Sequence, residues 1–140
     1  MVLSHQVSSD LVRSAQELVW HAMAVQVQLV IGLQVAKLPA ENLFFTKAAA
    51  GMHGALGWLD ERLDHVLAAL PSPRDTSVLE VTLFCLVEHV LFRPTVSLDA
   101  FARLREHATR FTARESAQQT AFRFDPAPTP ILAGGSPSHA

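Results

Sequence analysis

The stretch that decides the fold is residues 74–92, RDTSVLEVTLFCLVEHVLF. Ser77 and Glu80 have the S-x-x-E spacing of a capping box, in which the serine hydroxyl accepts from the N–H of residue 80 and the carboxylate accepts from the N–H of residue 77. Beyond this cap almost every side chain is apolar, so no polar face remains. Because a helix that is apolar all round is normally surrounded by other helices, the stretch predicts the central helix of a helical domain.

Three residues in the same stretch, Cys85, Glu88 and His89, raise the question of a reactive site. A reactive thiolate needs a cationic, partly exposed setting that the sequence does not supply, so we interpret Cys85 as a small buried hydrophobe. Glu88 and His89 fall at the helix end, where a histidine can meet the last carbonyls. The seven histidines include neither an H-E-x-x-H motif nor a pair four residues apart, so no metal site is predicted.

Length and composition narrow the class of protein. The 140 residues fit one domain with a single core. Hydrophobic residues make up 49% and charged residues 17%, with a mean hydropathy of +0.23, so some apolar surface is expected to meet a partner. A single cysteine excludes an intrachain disulfide. The N-terminus, MVLSHQVSSD, lacks the pattern of a secretory signal, and a cytoplasmic location is expected.

The distribution of charge bears on nucleic-acid binding. The net charge of −2 gives no general attraction for a polyanion. Arg103, Arg110 and Arg114 lie close together on a helical wheel and could hold phosphates. Because acidic residues are interspersed, a solvated helix face is the favoured interpretation, and no nucleic-acid partner is predicted.

Prolines separate long segments whose apolar residues recur with helical spacing, which predicts an all-α fold. Helices are expected at 10–36, 43–70 and in the opening stretch. A fourth should start at Ser97, an N-cap residue flanked by Val96 and Phe101 as a hydrophobic staple, and a short fifth should cover 115–122. The expected organisation is an N-terminal extension at 1–9, a helical domain at 10–124 and a disordered tail at 125–140, which is rich in Pro, Gly, Ala and Ser.

The first helix is apolar enough to raise the question of a membrane span, because no charged residue lies between Glu17 and Lys37. Gln26 and Gln34 would then face lipid, and a polar stripe runs along another side. A packed helix is therefore favoured, and no membrane partner is predicted. The members of the polar stripe are Asp10, Arg13, Glu17, His21 and Gln28.

The second helix carries Gly51, Gly54 and Gly57 at three-residue spacing. Each glycine costs about 1 kcal/mol relative to alanine inside a helix, so the pattern needs a reason. Close backbone packing or a kink would supply one, and a tight crossing of two helices is the favoured explanation. A ligand lying against the backbone is the alternative.

Three segments together resemble a known family. AGMHGALGWLDERL at 50–63, PSPRDTSVLEVTLFCLVEHVLFRP at 71–94 and RFTARESAQQTAFRFD at 110–125 look like the all-helical C-terminal domain of bacterial glutathione S-transferases. The most specific part is the capped apolar helix followed by an R-x-S-x-x-x-T ending at Arg114, Ser116 and Thr120. The resemblance covers about 10–125 and implies a glutathione S-transferase C-terminal-like bundle of about five helices around a buried central helix.

The resemblance also implies a role. In that family a preceding thioredoxin-like domain activates the thiol and makes most glutathione contacts, and this sequence shows no such segment. The implied function is the hydrophobic-substrate side of a glutathione-conjugating enzyme, inactive alone. This chain would then hold no catalytic residue and no cofactor, with glutathione as co-substrate only if the missing domain is supplied. By position, the first helix would form the hydrophobic-substrate pocket with Val12, Trp20, His21 and Ala24.

An uncovered face left by a missing domain predicts a partner, either a second copy in a homodimer or a thioredoxin-like domain. Apolar small molecules are the expected ligands. The alternative hypothesis is a helical protein–protein interaction or dimerisation module without catalysis.

Overall fold

The computed structural model describes residues 1–125, and within them it is helical. The helices are α1 (Asp10–Leu29), continued by a π-helical segment (Val30–Val35), α2 (Leu43–Ala68), α3 (Val78–Phe92), α4 (Ala102–Thr112) and α5 (Glu115–Gln119). A 3-10 turn, Ser4–Gln6, precedes them. These residues contain no strand beyond one isolated bridge, so the all-α prediction is confirmed. The tail predicted to be disordered lies, from residue 126 on, outside the described residues.

The helices enclose one core. α1 and α2 form a hairpin, α3 packs on α1, α4 packs on both α2 and α3, and α5 follows on α4. Each buried leucine-sized side chain contributes about 1.5–3 kcal/mol. The core includes Val12, Val19, Leu29, Met52, Leu56, Leu59, Leu63, Leu83, Leu86, Val87 and Leu104. α3 is largely enclosed, as its composition predicted, and Leu91 is its one exposed residue.

The start of α3 forms half of the predicted capping box. Ser77 Oγ accepts from the Glu80 N–H at 3.2 Å, as expected. The Glu80 carboxylate does not close the box onto the backbone. It accepts instead from the Ser77 hydroxyl at 2.8 Å and from Arg74 Nε at 3.1 Å. Arg74 is held in place by the Leu67 carbonyl at 3.0 Å, and a charge-assisted bond to its guanidinium is stronger than one to a neutral N–H.

The start of α4 differs from the prediction. Ser97 Oγ accepts from the Asp99 N–H at 3.2 Å within a turn, and the helix begins five residues later, at Ala102. The residue that caps α4 is Asp60 of α2, whose Oδ1 accepts from the Leu104 N–H at 2.9 Å. Local sequence suggested an N-cap at Ser97, but a buried carboxylate from a neighbouring helix takes that role. The fifth helix also ends earlier than expected, at Gln119.

Three of the four glutamines between residues 10 and 35 hydrogen-bond to other parts of the bundle, and Gln28 is exposed. Gln16 Nε2 donates to Thr82 Oγ1 at 3.1 Å, and Gln26 Nε2 donates to the Arg93 carbonyl at 2.8 Å. Gln34 Nε2, in the π-helical segment, donates to the Pro94 carbonyl at 2.9 Å. By length and composition alone, Asp10–Val35 could cross a membrane, a test that a packed core helix also passes. In this structure the segment packs against α2 and α3.

The N-terminal extension packs on the bundle. The Val2 N–H donates to the Thr76 carbonyl at 2.7 Å, and the Val78 N–H donates to the Val2 carbonyl at 2.9 Å. Val7 is buried among core residues. The extension therefore lies beside the loop that leads into α3.

The three glycines of α2 do not mark a tight helix crossing, so that prediction is wrong. A Cβ added at Gly51 or Gly54 would meet nothing within 4 Å, and at Gly57 it would make ordinary contact with the Phe101 ring at 3.7 Å. The close approach occurs at Gly32, where a Cβ would overlap the ring of Phe45. Gly51 and Gly54 of α2 therefore face open space, whereas the π-helical segment and α2 approach each other closely at Gly32 and Phe45.

Candidate functional site

The open space beside the glycines is a groove between α1 and α2 with a volume of about 1000 Å³. We call it the α1–α2 groove. The α1 side chains in it recur at helical spacing, so they lie on one face, and the same holds for α2. The lining residues are Arg13, Ser14, Glu17, Leu18 and His21 of α1 and Gly51, Gly54, Ala55 and Trp58 of α2.

The groove exists because α2 presents almost no side-chain volume to it. Gly51 and Gly54, together with Ala55, form its floor. Trp58, one turn further along α2, forms a wall, and the Arg62 guanidinium lies over its ring at 4.9 Å from the centroid. Leucine has a higher helix propensity than glycine, so a leucine at Gly51 or Gly54 would fill the space and cost the helix less stability than the glycine does.

The α1 side of the groove is polar. Arg13 Nε donates to the Val7 carbonyl at 3.0 Å, and its Nη1 lies 3.8 Å from Asp10, so the guanidinium is held at the rim. Glu17 and His21 follow one and two turns further along α1. An apolar floor and an aromatic wall beneath a few charged groups is the usual composition of a site for a small organic molecule.

The structure divides the four residues predicted to form the hydrophobic-substrate pocket. Val12 is 1% exposed and belongs to the core. With Trp20 it lines a second cavity of about 370 Å³ between the N-terminal segment and α1. His21 lines the α1–α2 groove, and Ala24 is exposed and lines neither cavity. Neighbouring residues on a helix point about 100° apart, so Trp20 and His21 face different openings.

Sequence reasoning kept the glycine part of this site only as an alternative and gave no role to Trp58. The signal was present in the glycine spacing, but a glycine row is expected wherever two backbones approach closely as well as where a ligand does. Trp58 had no signal of its own, since an aromatic residue at helical spacing is also typical of a core.

The candidate reactive groups of α3 are not arranged for chemistry. Burial, and then the charge of Glu88, raises the pKa of the Cys85 thiol, which keeps it protonated. Burial, and then Arg93, lowers the pKa of His89. The His89 Nδ1 is buried without a hydrogen-bond partner, so this nitrogen does not make the predicted contact with the helix-end carbonyls. The His89 ring packs on the Phe122 ring, with 5.3 Å between the ring centroids.

The three arginines that could have held an anion are each paired with carboxylates. Arg103 lies 3.5 Å from Asp64, and Arg110 lies 3.4 Å from Glu106. Arg114 Nη2 lies 2.6 Å from Asp75. The charges therefore balance locally, as the interpretation of a solvated face expected. Within residues 1–125 no group of three or more His, Cys, Asp or Glu side chains could hold a metal ion.

Comparison with known proteins finds no family model, no curated protein and no solved structure that matches this chain. The assignment of a function consequently depends on the groove and its surroundings.

Proposed function

We propose that the chain is a C-terminal helical domain of the glutathione S-transferase type that binds an apolar aromatic molecule in the α1–α2 groove and does not conjugate glutathione by itself. The observation that carries the proposal is the floor of Gly51 and Gly54 beside the ring of Trp58. The ring offers a flat apolar face, and the bare backbone lets a planar molecule approach closely.

The family part of the proposal is supported by how the resembling segments meet. The R-x-S-x-x-x-T ending is joined to the loop before α3 by the pair between Arg114 and Asp75. Thr120 Oγ1 donates to the Ser116 carbonyl at 2.8 Å and so closes α5. The capped helix α3 lies between α1 and α4. A capped, enclosed helix braced by the final helical turn agrees with the resemblance.

The lack of conjugation is supported by the all-helical composition. Residues 1–125 contain no strand element, and hence no thioredoxin-like sheet to activate glutathione. We expect the chain with glutathione and chlorodinitrobenzene to show only the uncatalysed rate. Turnover comparable to that of full-length transferases would refute this part. If a thioredoxin-like domain is supplied, glutathione becomes the co-substrate and the groove serves the electrophile.

Ligand binding can be followed with the two tryptophans, because Trp58 lines the groove and Trp20 does not. Chlorodinitrobenzene, a planar quencher, should quench the fluorescence saturably in the wild type and in Trp20→Phe. In Trp58→Phe the saturable component should disappear, since the reporter in the groove is gone. Equal quenching in both variants would place the molecule elsewhere.

A second variant fills the groove. Gly54→Leu places a side chain in open space, so it should weaken binding by about tenfold or more without unfolding the chain. Ala50→Leu is the matched control, because Ala50 is exposed on α2 and does not line the groove. If both variants bind as the wild type does, the groove is not the site.

The second candidate is a dimerisation or protein-interaction module. It is favoured by the shape of the same groove, which is open and has small residues on its α2 side, and so also fits a helix from a second copy or from a thioredoxin-like partner. Light scattering at several concentrations separates the two. A monomer that binds chlorodinitrobenzene supports the first candidate. A dimer that Gly54→Leu dissociates supports the second.

A further inference from the structure

The far end of the α1–α2 hairpin exposes a concentration of large apolar side chains. We call this surface the hairpin tip. Phe44 is 57% exposed and Leu43 is 65% exposed at the start of α2, whereas their neighbour Phe45 is buried. The apolar members of the tip are Val27, Ile31, Val35, Leu38, Leu43 and Phe44, all of which are more than a third exposed.

These side chains form one surface. Val27, Ile31 and Val35 follow one another every four residues along α1 and the π-helical segment, so they lie on one side. The Leu38 N–H donates to the Gly32 carbonyl at 2.9 Å, which folds the connecting loop against that segment. On the other helix, the Phe44 ring lies 5.3 Å from the ring of Phe45, which in turn meets Gly32.

Gln28 is exposed on this side of α1, whereas the other two nearby glutamines point into the bundle. Gln26 and Gln34 bond to backbone carbonyls at Arg93 and Pro94. The sequence-based expectation of no membrane partner rested on these two side chains facing lipid and on the polar stripe along another side of the helix. Gln26 and Gln34 have hydrogen-bond partners within the bundle. The objection therefore concerns a helix that spans the bilayer, and it does not concern a bundle whose hairpin tip contacts the bilayer surface.

The charges at the tip are mostly positive. Lys37 and Lys47, the two lysines of the chain, both lie here and are exposed. Glu41 is the one acidic residue between Glu17 and Asp60, so the region carries a net charge of +1 (two lysines minus one glutamate) in a chain of net charge −2. Lysine can extend its charged end past apolar surface, so these ammonium groups can reach beyond the tip.

We propose that the hairpin tip docks on an anionic membrane surface. Its apolar side chains enter the boundary between headgroups and acyl chains, and Lys37 and Lys47 meet the anionic headgroups. In a two-fold contact between the tips of two copies, the lysines of one copy would instead lie near those of the other. Each copy would supply one glutamate to offset this repulsion. The charge of the tip therefore favours lipid over a second copy. The inference does not depend on the α1–α2 groove.

The test is co-sedimentation of the full chain with vesicles at low and high ionic strength. Vesicles of equal parts phosphatidylserine and phosphatidylcholine should bind the chain more tightly than pure phosphatidylcholine, and salt should weaken the binding. The double variant Leu38→Ser/Phe44→Ser should lose about tenfold or more in affinity. Lys47→Gln should lose about fivefold on the phosphatidylserine vesicles and nothing on the neutral ones.

Matched controls come from elsewhere on the surface. Leu91→Ser removes an apolar side chain that is 54% exposed on α3, and Arg105→Gln removes an exposed cation on α4. Both should bind as the wild type does, and circular dichroism should show that all variants are folded. The proposal is overturned if the wild type does not bind vesicles at low ionic strength, or if Leu91→Ser weakens binding as much as Leu38→Ser/Phe44→Ser does. It is also overturned if the wild type self-associates without binding vesicles and Leu38→Ser/Phe44→Ser abolishes that self-association.

Discussion

At the scale of single residues, the glycines of this chain serve two opposite purposes. Gly32 lies where the ring of Phe45 leaves no room for a Cβ, and Gly54 lies where nothing is within 4 Å. The sequence marks both positions with the same letter. The glycine spacing on α2 was conspicuous and suggested packing, while the isolated Gly32 had no distinguishing pattern.

Gly32→Ala should destabilise the fold by about 1–3 kcal/mol, because Phe45 is buried and its ring must move. Gly54→Ala is the matched control and should stabilise by about 0.5–1 kcal/mol, since alanine is the better helix former and the space is open. Urea unfolding followed by circular dichroism measures both. Equal midpoints for the two variants would contradict the assigned contacts.

At the scale of the elements, helix starts are determined by more than the local chain. α3 begins where its own Ser77 accepts from the Glu80 N–H, so its start is legible in sequence. α4 begins where Asp60, forty-four residues earlier in the chain, accepts from the Leu104 N–H. Asp60 also lies 3.8 Å from Arg103, so one carboxylate serves both the backbone and a side chain of α4.

Asp60→Ala should cost about 2 kcal/mol, because it removes a cap and leaves the buried Leu104 N–H without an acceptor. Asp60→Asn retains an oxygen acceptor and should recover part of that loss. The control is Asp64→Ala, which removes the exposed partner of the same arginine and should change stability by less than about 0.5 kcal/mol. Denaturant unfolding gives the three values, and a loss at Asp64 as large as that at Asp60 would contradict the capping role.

At the scale of the whole molecule, closure of the bundle buries a histidine. His107 of α4 is 6% exposed, and its Nε2–H donates to the Glu80 carbonyl at 3.5 Å. Burial lowers its pKa, with a contribution of the same sign from Arg110, while the Glu80 carbonyl and carboxylate oppose the shift. The pKa of His89 is lowered as well, so folding favours the neutral form of both rings.

The stability of the fold should therefore fall on acidification. Below about pH 6.5 the unfolded chain protonates these histidines while the folded chain resists, so the unfolded state binds more protons and is favoured. Above that pH both states are neutral and the contribution is fully present. Urea midpoints at about pH 8 and about pH 5.5 measure the loss, which His107→Gln should reduce and His65→Gln, at an exposed position, should leave unchanged. A loss that is the same in all three proteins would contradict this role for His107.

The helical class, the capped start of α3, the enclosure of all of α3 except Leu91, and the apolar face of α1 follow from the sequence, because each depends on residues a few positions apart on one helix. The packing of the helices was needed to show that Asp60 caps α4, which cavities Trp20 and His21 open into, and that the glycines of α2 line a groove. The physical reason is that the azimuth at which two helices meet sets which residues are covered. Helical periodicity in the sequence identifies one broad apolar face on each helix. It does not specify which part of that face meets the neighbouring helix.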